Sequence, residues 1–229
     1  MFTKNINEFN RQKWLEKTLK DLPKGLRILD AGAGELKNRK LCGHLNYTSQ
    51  DFNQYTGGGG LSEGLQTGQW DTSRIDLVSD ITAIPSPDAS FDVILCSEVL
   101  EHVPEPTHAL DEFRRLLKPE GILILTAPFA SLVHFAPYHY CTGFSRYWYE
   151  HHLTNLGFKI KELTPNGDWF AYTEQEITRL GGLERQRGNW SWPFAYAYSL
   201  LGVLYFKLRG KMRAENLACF GWHCLAVKQ

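Results

Sequence analysis

The chain has 229 residues, with 25 Lys and Arg against 25 Asp and Glu, and 43% of its residues are hydrophobic. This supplies enough apolar material for a full α/β core, and without a Lys/Arg tract it excludes the broad basic surface of a nucleic-acid binder. Five cysteines (Cys42, Cys96, Cys141, Cys219, Cys224) form no CxxC pair, so a disulfide scaffold is not expected and a reducing cytoplasm is.

The N-terminus is polar and lacks the apolar stretch of a signal peptide. Trp14, Leu15, Thr18, Leu19 and Leu22 recur at helical spacing before Pro23 and Gly25, which predicts an amphipathic helix within residues 1–24. "LRILDAG" then reads as a short buried strand. Further strands are predicted at 47–51, 76–80, 91–97, 121–128 and 158–164, and a last one at "GWHCLAVK". Ala109, Leu110, Phe113, Leu116 and Leu117 share one helical face, and Ser145 caps another helix that Gly157 ends. No helical pattern separates Asp51 from Asp76. Gly57 to Gly60 predict a mobile loop there, which reads as a plain surface loop or as a ligand lid.

Strands alternating with helices predict an α/β fold: a doubly wound, mostly parallel seven-stranded sheet whose last strand pairs antiparallel at the sheet edge. One domain, 1–229, is expected, with a helical insertion at 168–217. Within that insertion Phe194, Tyr198, Leu201, Tyr205 and Leu208 follow helical spacing, ahead of Lys207, Arg209, Lys211 and Arg213. This reads as a core or dimer helix, or as an interfacial helix giving residues 192–213 a peripheral membrane contact. Pro193, Ser199 and Lys207 argue against a membrane span.

Ligands on such sheets bind beyond the carboxyl ends of the strands, which directs attention to "RILDAGAGELK", residues 27–37. The Lys-Ser/Thr pair of a phosphate-binding loop is missing. The dinucleotide fingerprint meets Lys37 where a small residue is needed for close helix–sheet packing, which disfavours NAD.

What remains is acid-x-Gly-x-Gly, followed in order by Asp51 at a strand end, by "VSDITAIPSPDASFD" and by "SEVLEHV". Over roughly residues 25–165 the chain resembles the class I S-adenosylmethionine-dependent methyltransferases. The resemblance implies a Rossmann-like fold and S-adenosyl-L-methionine as cofactor. Asp30 would lie near its amino group, Gly32 and Gly34 along its methionine portion, Asp51 at the ribose hydroxyls, and Asp80 with the N–H of Ile81 at the adenine. Ser97 completes the expected cofactor set.

"SEVLEHV" spaces Glu98, Glu101 and His102 at i, i+3 and i+4, one face if the segment is helical. Ubiquinone-biosynthesis O-methyltransferases carry a similar Glu-x-x-Glu-His arrangement and use magnesium, so these three are the alternative metal ligands. Because a hard ion favours oxygen over imidazole, the primary expectation is no metal.

After the fifth strand, His134 and His139 stand among Tyr138, Tyr140 and Phe144. They are the expected catalytic bases, since imidazole accepts a proton near neutral pH. The expected reaction is methylation, at oxygen, of a small molecule or of a glycan- or lipid-linked intermediate. The alternatives are a non-catalytic S-adenosylmethionine-binding regulator and, less favoured, an NAD-linked oxidoreductase.

Overall fold

A computed structural model describes residues 5–55, 57, 64–65, 68–209 and 214–229. Gly58–Gly60, Lys211 and Arg213, with the side chains of Lys207 and Arg209, lie outside the described residues. The chain divides into two compact units, one formed by 1–164 with 221–229 and the other by Pro165–Phe220.

The first unit opens with α1 (Ile6–Lys20), capped by the Asn5 side chain, which accepts from the Glu8 N–H at 3.3 Å. Then follow β1 (Arg27–Ala31), β2 (Asn46–Asp51), β3 (Leu77–Val78), β4 (Phe91–Ser97), α2 (Pro106–Leu116), β5 (Leu117–Pro128), α3 (Arg146–Asn155) and β6 (Phe158–Asn166). After α4 (Trp169–Gln186) and α5 (Trp192–Arg209) the chain returns as β7 (Gly221–Lys228). The seven strands are ordered β3-β2-β1-β4-β5-β7-β6.

The central strands are apolar because both faces of a parallel sheet are covered. Ile28 and Leu29 of β1, Val93 to Cys96 of β4 and Leu123 to Leu125 of β5 are fully buried. Leu15 and Leu19 of α1 join Ile28, Val93, Leu95 and Ile124 in one cluster. On α2 the predicted stripe is buried: Ala109, Leu110, Phe113 and Leu116 have no exposed surface.

Three local expectations are corrected. The last strand is antiparallel, with Leu125 opposite Cys224, but it sits between β5 and β6, so β6 rather than β7 forms the edge. The strand expected at 76–80 shrinks to Leu77–Val78. Its flanking acids are used locally: Asp76 accepts from the Ser49 N–H and hydroxyl at 2.9 and 2.7 Å, and Asp80 accepts from the Thr82 N–H and hydroxyl at 2.8 Å. "SEVLEHV" is not an α-helix. Glu98 stands at φ +57° with its N–H still donating to the Thr126 carbonyl, and only Leu100–His102 turns, as a 3₁₀ segment.

β7 carries a buried titratable group. His223 stacks on Trp14 of α1, ring centroids 4.8 Å apart, and its Nε2 is buried without a hydrogen-bond partner. Burial, then the nearby Arg11 charge, lowers its pKa from 6.5 to about 4. The unfolded chain therefore binds a proton more readily, so this group's contribution is intact above pH 6.5 and is lost as pH falls towards 4. At pH 5 the loss should be about 2 kcal/mol. His223→Phe keeps a ring against Trp14 and should flatten the fall in thermal midpoint between pH 7 and pH 5. An unchanged pH dependence would remove His223 as its cause.

In the second unit, Asp168 caps α4 by accepting from the Ala171 N–H at 2.9 Å. The two helices approach closely: a Cβ at Gly181 would meet the Tyr196 ring at 2.7 Å, and Ser199 Oγ donates to the Ile177 carbonyl at 2.6 Å. The expected insertion at 168–217 falls within this unit. Among the described residues no helix is long and apolar enough to cross a membrane.

Candidate functional site

The loop after β1 is fixed by β2. The N–H groups of Gly32 and Ala33 both donate to the Gln50 carbonyl at 2.9 Å. Gly32 has φ +77°, and a Cβ there would lie 2.4 Å from a methyl of Val99. Gly34 has φ +49°, and its Cβ would meet the Trp70 ring at 3.0 Å. The two glycines thus make room for protein side chains, and their backbone conformations independently favour glycine. No α-helix follows this loop; a three-residue 3₁₀ turn, Arg39–Leu41, does. The helix N-terminus that would hold a dinucleotide pyrophosphate is therefore missing, an argument against NAD stronger than Lys37 alone.

At the carboxyl ends of β1 to β4 lies a cavity of about 440 Å³, a size suited to a small-molecule cofactor. Gly32, Asp51, Asp80 and Ile81 line it, four of the seven expected cofactor residues. Asp51 is 7% exposed. Its Oδ2 accepts from the Gly34 N–H and its Oδ1 from the Asn53 N–H, both at 2.9 Å, which fixes the carboxylate and leaves each oxygen a further lone pair.

The other three expected cofactor residues lie off the cavity wall. Asp30 is buried and accepts from the Tyr47 hydroxyl at 2.6 Å, so it braces the loop from below. Burial raises its pKa to about 6 against the opposing hydrogen bonds from Tyr47 and Asn38. Gly34 acts through its amide on Asp51. Ser97 Oγ shares a hydrogen bond of 2.8 Å with Thr126 Oγ1.

Aromatic residues absent from the expected set complete the wall. Phe52 and Tyr138 meet edge to face at 5.0 Å, and Tyr55, Trp70 and Phe135 pack within 5.2 Å of one another. Leu65 bridges to His134, with the Leu65 N–H donating to the Val133 carbonyl at 2.8 Å. From the described part of the loop after β2, Gln54, Tyr55 and Trp70 line the cavity, and Leu65 joins that loop to the loop after β5. Phe52 directly follows Asp51 and so has a signal; Trp70, within a glycine-rich loop, has none that periodicity detects.

The remaining wall comes from the turns after β4 and β5: Glu98, Val99, His102, Tyr138 and Tyr140. Glu98 is drawn to Arg11 of α1, Nη1 to Oε2 2.9 Å, and accepts from Thr126 Oγ1 at 3.0 Å. Glu98, Glu101 and His102 do not share a helix face, because the backbone reverses at Glu98. His134 and His139 do not line the cavity; they stand behind His102, their ring centroids 4.7 and 5.9 Å from its own. Burial, reinforced by His134, lowers the His102 pKa to about 3. Glu101, 1% exposed, is pushed well above the usual carboxylate range by burial and then by Glu98.

Comparison with known proteins agrees with this fold. Residues 29–125 match the family model for a methyltransferase domain. The chain is 34% identical over 104 residues to the ubiquinone biosynthesis O-methyltransferase of Xanthomonas oryzae pv. oryzae, strain PXO99A, a match spanning 44% of this chain and 43% of the relative. Thus less than half the length of that curated relative is matched. Among solved structures, Haemonchus contortus phosphoethanolamine N-methyltransferase 2 in complex with S-adenosyl-L-methionine aligns with a TM-score of 0.54 at 16% identity, covering 96% of this chain and 52% of that one. The [4+2]-cyclase SpnF aligns equally well, with a TM-score of 0.54 at 18% identity over 96% of this chain and 80% of that one. These two alignments carry the fold alone, since one fold hosts different chemistries. With the acid-x-Gly-x-Gly loop, Asp51 and the seven-stranded sheet placed as described, residues 29–125 match a methyltransferase domain, and these findings together support a class I S-adenosylmethionine-dependent methyltransferase.

Proposed function

We propose that the protein binds S-adenosyl-L-methionine in the cavity and transfers its methyl group to an oxygen of a small molecule or of a glycan- or lipid-linked intermediate. The observation that carries this reading is the single cavity wall running from Asp51, Asp80 and Ile81 to His102, Tyr138 and Tyr140. The first group suits an adenosine: Asp51 accepts from the ribose hydroxyls, Asp80 from the adenine amino group, and the Ile81 N–H serves a ring nitrogen. The second group offers an aromatic, imidazole-backed mouth for an acceptor.

Methyl transfer from a sulfonium is an in-line displacement, so the main task is alignment of the acceptor with the methyl carbon and exclusion of water. Alignment supplies about 7 to 11 kcal/mol. An acceptor hydroxyl must also lose its proton, and the group His102, His134 and His139 is assigned this service, worth roughly 10² to 10⁴ in rate. The relative named above is an O-methyltransferase, which favours oxygen. None of the five cysteines is in a disulfide, which fits a reducing, cytoplasmic setting.

The test is release of S-adenosylhomocysteine over a panel of phenols, sugars and lipid-linked glycans. Turnover should appear with a hydroxyl acceptor, and His134→Ala or His139→Ala should lower kcat by about 10² or more while cofactor affinity survives. Turnover only with amines would overturn the oxygen assignment, and cofactor binding without turnover on any acceptor would favour the non-catalytic regulator.

A further inference from the structure

His102, from the turn after β4, meets His134 and His139, from the loop after β5. One ligand atom from each lies within 4.8 Å of the others. The hydrogen bonds of two of them fix which nitrogen is bare. His102 Nδ1 lies 2.5 Å from the Tyr138 carbonyl and His134 Nδ1 lies 2.8 Å from the Leu132 carbonyl. A carbonyl only accepts, so both Nδ1 atoms carry the proton and both Nε2 atoms present a lone pair. This is the arrangement of metal-binding imidazoles, whose second nitrogen is held by a backbone carbonyl.

The lone pairs converge without partners. His102 Nε2, both ring nitrogens of His139 and Glu101 Oε2 are buried and make no hydrogen bond. Glu101 is 1% exposed, and its Oε1 lies 3.7 Å from His102 Nε2 and 3.8 Å from His134 Nε2. These separations are too long for hydrogen bonds, and the three imidazoles, within 4.8 Å of one another, would draw in to the edge of a zinc tetrahedron, about 3.3 Å for ligands about 2.0 to 2.1 Å from the metal. Buried polar atoms rarely stay unpaired, and here several do so in one place.

The geometry points to a divalent transition-metal site, of the zinc type, formed by His102, His134 and His139, with Glu101 beside two of them. Three imidazoles suit Zn²⁺ or Co²⁺ and not the oxygen-seeking Mg²⁺. Held by ligands from two separate segments, the ion acts as a clamp. It ties the turn Leu100–His102 to the loop that carries Tyr138 and Tyr140 onto the cavity wall. The inference does not rest on methyl transfer, since it follows from the side chains alone. An imidazole that ligates an ion is not also a base, so this site competes with the base role proposed above for the same histidines: turnover that survives removal of the ion keeps them as bases, and turnover that is lost with the ion and returns with Zn²⁺ makes them ligands.

The full chain, stripped by a chelator and dialysed, is titrated with Co²⁺ and then with Zn²⁺. Expected are the intense visible bands of tetrahedral Co²⁺, their loss on adding equimolar Zn²⁺, and a thermal midpoint that rises with Zn²⁺ but not with Mg²⁺. Loss of an outer partner of a metal ligand costs about 10- to 100-fold in affinity; removal of a ligand, in His139→Ala or His134→Ala, should cost about 100-fold or more, with S-adenosylmethionine binding as the folding control. A pale octahedral Co²⁺ spectrum indifferent to Zn²⁺, displacement of Co²⁺ by equimolar Mg²⁺, or unchanged affinity in both variants would overturn the site. Where a variant fails to fold, the wild-type Co²⁺ spectrum decides. Tetrahedral bands without turnover on any acceptor would uphold the metal site while the methyl-transfer reading fails.

Discussion

Replacing Asp51 by Ala should weaken S-adenosyl-L-methionine binding by about 10² to 10⁴, because two hydrogen bonds to a buried carboxylate are lost together and each is worth about 1.5 to 3 kcal/mol. The residue is 7% exposed and already holds the N–H groups of Gly34 and Asn53, one on each oxygen, so it meets a ligand without rearranging. Asp51→Asn replaces one acceptor oxygen by a donor and should fall between wild type and Ala. Calorimetry on the three proteins reads the effect directly. Equal affinities would show that the ribose does not sit at Asp51.

Gly32→Ala should unfold the loop that Asp51 depends on. Two costs add. At φ +77° an L-residue is strained by about 1 to 2 kcal/mol, and the new methyl would lie 2.4 Å from Val99 Cγ2, an overlap that forces Val99 aside at a cost of about 1 to 3 kcal/mol. The thermal midpoint should fall by about 10 °C for a chain of this size, and cofactor affinity should fall with it because Val99 lines the cavity. The costs separate in a Val99→Ala background, where the overlap shrinks and the backbone strain persists. If Gly32→Ala costs the same there as in wild type, Val99 is not the obstacle.

Much of this fold was legible because it rests on short-range patterning. β1 and β4 are buried on both faces, so Ile28–Leu29 and Val93–Cys96 read as unbroken apolar runs, and the stripe of α2 follows from side-chain period alone. Asp51 and Asp80 are legible as cavity-lining residues because each stands at or just past the carboxyl end of a strand of the parallel sheet. The misreadings have the opposite character. Helical spacing was assigned to Glu98, Glu101 and His102, whereas the backbone reverses at Glu98 because its N–H remains bonded to β5. Asp30 was expected at the ligand, but Tyr47 on the neighbouring strand claims its carboxylate. The imidazole group joins His102 to two residues of a different loop, and the β4–β5 pairing, with the Tyr140 and Cys141 N–H groups donating to the Glu101 carbonyl, brings those loops together. Tyr55 and Trp70 reach the cavity through a glycine-rich loop with no period at all.

The cofactor assignment underlies the rest, and calorimetric titration of the wild-type chain with S-adenosyl-L-methionine, set beside the same titration with NAD, tests it most directly. One molecule of S-adenosyl-L-methionine per chain should bind with a Kd of about 1 μM or tighter, equivalent to about −8 kcal/mol, and NAD should give no saturable heat, because no helix N-terminus follows Gly34 to receive a pyrophosphate. Saturable NAD binding with no response to S-adenosyl-L-methionine would contradict the account.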